Sequence, residues 1–222
     1  MSDAFPRAAV ERRLTAVIGE LVPGDAPVAA LVDYLALLHR WNRAFNLSAV
    51  RDPEAMVTRH VLDSLSTLSY LEGAQLLDVG SGPGLPGIPL ALCRPELQVT
   101  LLDSNGKKVR FLRQAVAEMP LPNVQVVGAR VEQWHPEQRF ATIIARAYAR
   151  LDEFVADTAH LLAPGGQLLA MKGRFDAASE TGQLPPGWSY TVEPLRVPGL
   201  DATRTLVRVH PGADTMDGDR HG

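Results

Sequence analysis

Leu31, Tyr34, Leu35, Leu38 and Trp41 recur at the spacing that lines one face of a helix, and Val57, Val61, Leu65 and Leu68 repeat the pattern. Residues 1–72 are therefore predicted as amphipathic helices, with Pro23, Gly24 and Pro27 separating the first from the second. After Gly73 the texture changes to short apolar runs alternating with helical stretches. The runs are Gln75 to Val79, Val99 to Asp103, Val124 to Val127, Ala141 to Ala145 and Gln167 to Met171. This alternation predicts βαβ units and a mostly parallel sheet. Trp188 to Pro194 and the alternating Thr203, Thr205, Val207 and Val209 follow with no helix between them, which predicts a closing antiparallel pair turned near Pro198 and Gly199.

The expected organisation is a helical extension, 1–72, packed on a main α/β domain, 73–210. The segment from Pro211 to Gly222 has almost no bulky apolar side chain, too little to offset the entropy of ordering, so it is expected to be disordered.

Composition narrows the function. The 222 residues are 46% apolar, but no run is long enough to cross a bilayer, and no membrane association is expected. The first ten residues lack the basic start and apolar block of a secretory signal, so a cytoplasmic location is expected. Cys93 is the only cysteine, which excludes an intrachain disulfide and a cysteine-based zinc or iron-sulfur site. His39, His60, His135, His160, His210 and His221 are scattered without an i, i+4 pair, and no metal is expected. Lys and Arg number 22 against 25 Asp and Glu, a net charge of −3, so contact with nucleic acid would need a local basic patch.

The strongest signal is Asp78-Val79-Gly80-Ser81-Gly82-Pro83-Gly84-Leu85-Pro86-Gly87, which leaves a buried strand and enters a helix. Two registers fit. Gly80, Gly82 and Gly84 suit an S-adenosylmethionine loop, while Gly82, Gly84 and Gly87 satisfy a dinucleotide pattern. Gly80 follows the strand directly, which favours the first. Asp78 also favours it, because a carboxylate there repels a pyrophosphate but can meet a cationic methionine moiety directly or through water. Asp103, ending the next strand and followed by Ser104, is placed to accept hydrogen bonds from ribose hydroxyls; capping the following helix is the alternative.

Phe45-Asn46-Leu47-Ser48, Arg59-His60-Val61-Leu62-Asp63-Ser64, the loop from Asp78 to Pro89, and the block from Asp103 to Leu112 together resemble the RsmG (GidB) family of bacterial small-subunit ribosomal RNA guanine-N7 methyltransferases. Arg130-Val131-Glu132, Ala145-Arg146-Ala147 and Met171-Lys172-Gly173 fall in the order that this family shows. The resemblance covers most of the chain. It implies a doubly wound, Rossmann-like class I S-adenosylmethionine methyltransferase acting on 16S rRNA, with an assembled small ribosomal subunit as substrate and a monomer as the working state. It also implies that Gly80, Leu85, Val131, Glu132 and Arg146 line the cofactor or methyl-transfer pocket.

Guanine N7 carries a free lone pair, so its methylation needs alignment rather than a dedicated base, and no certain catalytic residue is expected. Arg146 lies just past a strand end, where it can hold a phosphate or guanine O6, or form a structural ion pair. His60 and Asp63, one helical turn apart, are expected to hydrogen-bond each other, with substrate-facing and structural roles equally open. Cys93 lies in the helix after the glycine loop and reads as core. Lys107, Lys108, Arg110 and Arg113 cluster at a helix start, and Arg51, Arg59, Arg130, Lys172 and Arg204 extend an RNA-binding patch if they share the sheet's C-terminal edge. A small-molecule methyltransferase, a dinucleotide-dependent oxidoreductase and a non-enzymatic binding module are the alternatives that the glycine loop alone leaves open.

Overall fold

The computed structural model describes residues 4–119, 121–146, 148 and 150–212. Its N-terminal part is helical: α1 (Arg7–Val17), α2 (Val28–Phe45), α3 (Pro53–Met56), a π-helical turn (Val57–Leu62) and α4 (Asp63–Leu65). The stripe on α2 behaves as its spacing predicts, with Leu31, Tyr34, Leu35 and Leu38 fully buried. The helix stops where Asn46 adopts a left-handed conformation, φ 50°. Among the described residues no helix is long and apolar enough to cross a membrane.

The remainder alternates as the apolar runs predict: β1 (Gln75–Val79), α5 (Gly87–Cys93), β2 (Gln98–Leu102), α6 (Gly106–Glu118), β3 (Val124–Val127), β4 (Phe140–Arg146), α7 (Leu151–Thr158), β5 (Leu162–Lys172), α8 (Ala177–Glu180), β6 (Trp188–Pro194) and β7 (Thr205–Pro211). These seven strands form one sheet in the order β3-β2-β1-β4-β5-β7-β6. The first five are parallel; β7 runs antiparallel between β5 and β6. The turn joining β6 to β7 contains Gly199 at φ 73°.

Several boundaries differ from the sequence reading: β2 runs Gln98–Leu102, so Asp103 lies just past the strand rather than ending it, and β4 runs Phe140–Arg146, one residue further at each end than Ala141 to Ala145. Strand β5 begins at Leu162, ahead of Gln167, because a register irregularity opposite Phe140 and Thr142 absorbs Ala163-Pro164-Gly165-Gly166. Thr203 precedes β7, and Pro211 belongs to it rather than to the tail. The rest of the expected disordered tail, from residue 213 onward, lies outside the described residues.

Alternation along the strands sorts the core onto two faces. Leu76 belongs to a buried cluster that also takes in Leu14 of α1, Leu35 of α2, Ile88 of α5 and Phe111 of α6. Its neighbours Leu77 and Val79 pack with Phe154 and Val155 of α7 on the other face. Strand order reverses between β1 and β4, so the loops at that C-terminal edge diverge and leave room for ligands.

Candidate functional site

Two clefts flank the reversal. The first, about 260 Å³, is lined by Val79, Gly80, Leu102, Asp103, Ser104, Lys108, Ala129, Arg130, Val131, Glu132 and Tyr148. The second, about 370 Å³, is lined by Ser48, Ala49, Val50, Arg59, His60, Asp63, Arg146, Met171, Lys172, Gly173 and Arg204. Register places them side by side: Val79 pairs with Ala145, so Gly80 and Arg146 leave adjacent strand ends.

The glycine loop divides its labour. Gly80 holds φ 68°, and nothing lies within 4 Å of the position a Cβ would take, so its backbone stands open to the first cleft. Gly84 and Gly87 instead permit packing: a Cβ would strike Ile88 at the former, and Leu101 and Asp78 at the latter. Tyr34, buried on α2, donates its hydroxyl to the Pro83 carbonyl at 2.7 Å and ties the loop to the N-terminal helices. Asp103 ties it from the other side, accepting from the Gly82 N–H (2.9 Å) and the Asn105 N–H (2.8 Å). Helix α6 is capped by Asn105, which accepts from the N–H groups of Lys107 and Lys108, so the capping alternative for Asp103 does not hold.

Asp78 does not reach either cleft surface. It is fully buried, with one oxygen accepting from the Gly87 N–H at 2.8 Å and Oδ1 without a hydrogen-bond partner. Burial raises its pKa to about 7, against the opposing pull of the Gly87 N–H and the Arg146 charge. Gly82, Gly84 and Leu85 likewise sit behind the cleft walls, Leu85 within the core.

In the second cleft the expected His60–Asp63 hydrogen bond is replaced by stronger partners. Asp63, 3% exposed, lies between two guanidiniums: Arg204 Nε donates to Oδ1 at 2.7 Å and Arg146 Nη1 stands 3.7 Å from Oδ2. Two cations outcompete one imidazole for a buried carboxylate. His60 Nδ1 lies 2.9 Å from the Arg59 carbonyl and Nε2 lies 2.8 Å from Ser48 Oγ. Because a carbonyl can only accept, Nδ1 carries the proton and the Ser48 hydroxyl donates to Nε2. Burial and the nearby Arg146 charge lower the His60 pKa to about 4, so the ring is neutral and its lone pair is occupied. The π-helical turn matters here, since the Arg59 carbonyl also receives Arg146 Nη1 at 3.4 Å.

The basic residues converge only in part. Arg59, Arg146 and Arg204 share the second cleft; Lys108 and Arg130 line the first. Lys172 lines the second cleft but is buried, with Nζ 2.6 Å from Glu180 and donating to the Tyr148 carbonyl at 2.7 Å. Its burial demands those partners and turns its charge away from a phosphate. Arg51, Lys107, Arg110 and Arg113 are exposed on neither cleft wall. Cys93 packs against the core, its thiol pushed up to about 12 by burial. Tyr148, Ala129, Ala49 and Val50 carry no sequence signal of their own, and Ser48 is marked only as the end of the Phe45-Asn46-Leu47-Ser48 motif. They reach the clefts because the loops after β3, β4 and α2 converge at the sheet edge.

Residues 28–207 match the family model described as rRNA small subunit methyltransferase G. A Chromobacterium violaceum protein named ribosomal RNA small subunit methyltransferase G is 55% identical over 187 residues, covering 83% of this chain and 89% of that protein. A protein of the same name from Xanthomonas oryzae pv. oryzae is 51% identical over 203 residues, covering 91% and 93%. Among solved structures, the glycopeptide N-methyltransferase MtfA superposes with a TM-score of 0.56 at 16% identity, covering 72% of this chain and 100% of that one. Precorrin-6y C5,15-methyltransferase from Geobacter metallireducens gives 0.54 at 14% identity, covering 76% and 92%. These two likenesses establish the class I methyltransferase fold, and the sequence matches go further: the chain belongs to the rRNA small subunit methyltransferase G family.

Proposed function

We propose that the protein transfers the methyl group of S-adenosylmethionine to N7 of a guanine in 16S rRNA, acting in the cytoplasm as a monomer on the assembled small ribosomal subunit. In this reading residues 73–210 form the methyltransferase domain and residues 1–72 a helical extension that walls its second cleft.

The observation that carries the reading is the pairing of two unlike clefts across one strand boundary. The first has an open glycine backbone and sets the carboxylates of Asp103 and Glu132 against the cations of Lys108 and Arg130; the second gathers Arg59, Arg146 and Arg204 around the one carboxylate of Asp63. The first suits an adenosine with a cationic methionine end. Gly80 allows close approach, Asp103 and Ser104 offer polar groups for ribose, and Asp78, with Oδ1 lacking a hydrogen-bond partner, lies beneath the loop as a counter-charge. The second suits a polyanion that must present one base at the cleft boundary.

Held against Gly80, Asp103 and Glu132, S-adenosylmethionine would supply an electrophilic methyl group, and guanine N7, which carries a lone pair and no proton, would take it up together with the positive charge. This chain's residues then need only align and dehydrate the partners. The locked, neutral His60 fits a reaction that removes no proton. Arg146, held at 3.7 Å by Asp63 and 3.4 Å by the Arg59 carbonyl, retains donors for O6, the atom beside N7.

The test is incubation with methyl-labelled S-adenosylmethionine and small subunits, or their free RNA, from cells lacking the enzyme, followed by nucleoside mass spectrometry. Label is expected in 7-methylguanosine, and more from subunits than from free RNA. Label in any other nucleoside, or in neither substrate despite cofactor binding, overturns the reading.

A further inference from the structure

Among the described residues, the large apolar side chains left exposed are Phe45 and Val192. Phe45 is the last residue of α2 and is 39% exposed, although the structural work of that helix end is done by its neighbours. Asn46 takes the left-handed conformation and returns its N–H to the Asn42 carbonyl at 3.2 Å. Leu47 supplies the buried apolar contact. The Asn42 side chain accepts from the Ser48 N–H and donates to the Val50 carbonyl, fixing the chain beyond. The Phe45 ring meets Trp41 at 5.0 Å between centroids, tilted by 34°, and Trp41 meets the fully buried Phe111 edge-on at 5.7 Å. A row of three rings thus runs from the core to solvent and presents its last member on a fixed base.

We propose that Phe45 is a stacking platform for an unpaired nucleotide of the RNA next to the methylated guanine; the proposal rests on the RNA reading given above. Base faces stack on exposed aromatic rings, and single-stranded segments are recognised in this way. Position supports it. Ser48, which lines the second cleft, is three residues from Phe45, so roughly 11 Å of backbone at most separates ring and cleft. Charge supports it as well: the exposed Arg51 guanidinium donates to Asn46 Oδ1 at 2.6 Å, which fixes a cation on the residue next to Phe45, where it can meet the backbone of the same RNA strand. An apolar protein partner would call for a broader apolar patch than one exposed ring.

The test uses Phe45→Leu, which keeps apolar bulk but removes the aromatic face, and Phe45→Trp, which keeps the face. Methylation of small subunits is followed as subunit concentration varies, alongside the KM for S-adenosylmethionine and the thermal midpoint. Phe45→Leu is expected to raise the KM for subunits by about 5- to 150-fold, the loss of one base–aromatic stack. Its kcat and cofactor KM stay at the wild-type values, its thermal midpoint falls by no more than a few degrees for the lost contact with Trp41, and Phe45→Trp keeps the wild-type subunit KM. An unchanged KM in Phe45→Leu overturns the proposal. So does an equal loss in Phe45→Trp, or a loss accompanied by weaker cofactor binding and a larger fall in midpoint. Wild-type protein that forms 7-methylguanosine in the same reactions leaves the functional reading standing whatever Phe45 does; wild-type protein that forms none overturns both.

Discussion

Asp78 shows how one side chain links stability to ligand chemistry. It is fully buried, Oδ1 has no hydrogen-bond partner, and its pKa rises from the ordinary 3.8 to about 7. The folded state therefore holds this proton more tightly than the unfolded chain. The stability it contributes is whole below about pH 4 and is lost as pH rises through about 7. Asp78→Asn keeps an acceptor for the Gly87 N–H and removes the buried charge. Without cofactor, its thermal midpoint should match wild type near pH 4 and exceed it at pH 8 by on the order of 10 °C. Addition of S-adenosylmethionine should raise the midpoint less in the variant than in wild type. A variant whose stability falls further below wild type as pH rises would show that the carboxylate is needed as an anion for folding itself. His60 has the opposite sign: its pKa falls to about 4, so its contribution is present above about 6.5 and is lost as pH falls towards 4.

At this scale the sequence was legible where chemistry follows a strand end. Gly80, Asp103, Ser104, Val131 and Glu132 all line the first cleft. It was misleading where side-chain partners come from distant segments. Asp63 and His60 are one turn apart in sequence, yet Asp63 is held by Arg204, 141 residues away, and His60 by Ser48.

Among the elements, α2 is read from sequence as an ordinary amphipathic helix, and its burial agrees. Sequence periodicity could not reveal that Tyr34, within that buried stripe, also anchors the glycine loop, since core packing and a hydroxyl bond to Pro83 leave the same apolar pattern. Tyr34→Phe removes that bond alone and leaves the Pro83 carbonyl buried. It should lower the thermal midpoint by about 2–4 °C, the effect of roughly 1 kcal/mol, and raise the cofactor KM by a few-fold. No change in either would show that the loop holds its shape without α2. Strand β5 teaches a similar lesson: turn residues at Pro164 to Gly166 mark a break in the pattern, whereas the strand carries them through an irregularity against β4.

For the whole molecule, the charge of −3 hides an uneven distribution. Arg59, Arg146 and Arg204 gather at one cleft, and Arg59 is exposed there. Methylation of small subunits should therefore weaken steeply with added salt through the subunit KM, and Arg59→Ala should reduce the slope of that dependence by about one counterion. A slope equal to wild type would place Arg59 outside the RNA contact.

The two-cleft division itself is open to one crossed measurement: the KM for cofactor and the KM for small subunits, each determined for Glu132→Ala and Arg59→Ala. Both side chains are exposed on their cleft walls. Glu132→Ala should raise the cofactor KM by roughly tenfold and leave the subunit KM unchanged, while Arg59→Ala does the reverse. Variants that each move both constants equally, or that exchange their effects, would contradict the assignment of donor to one cleft and RNA to the other.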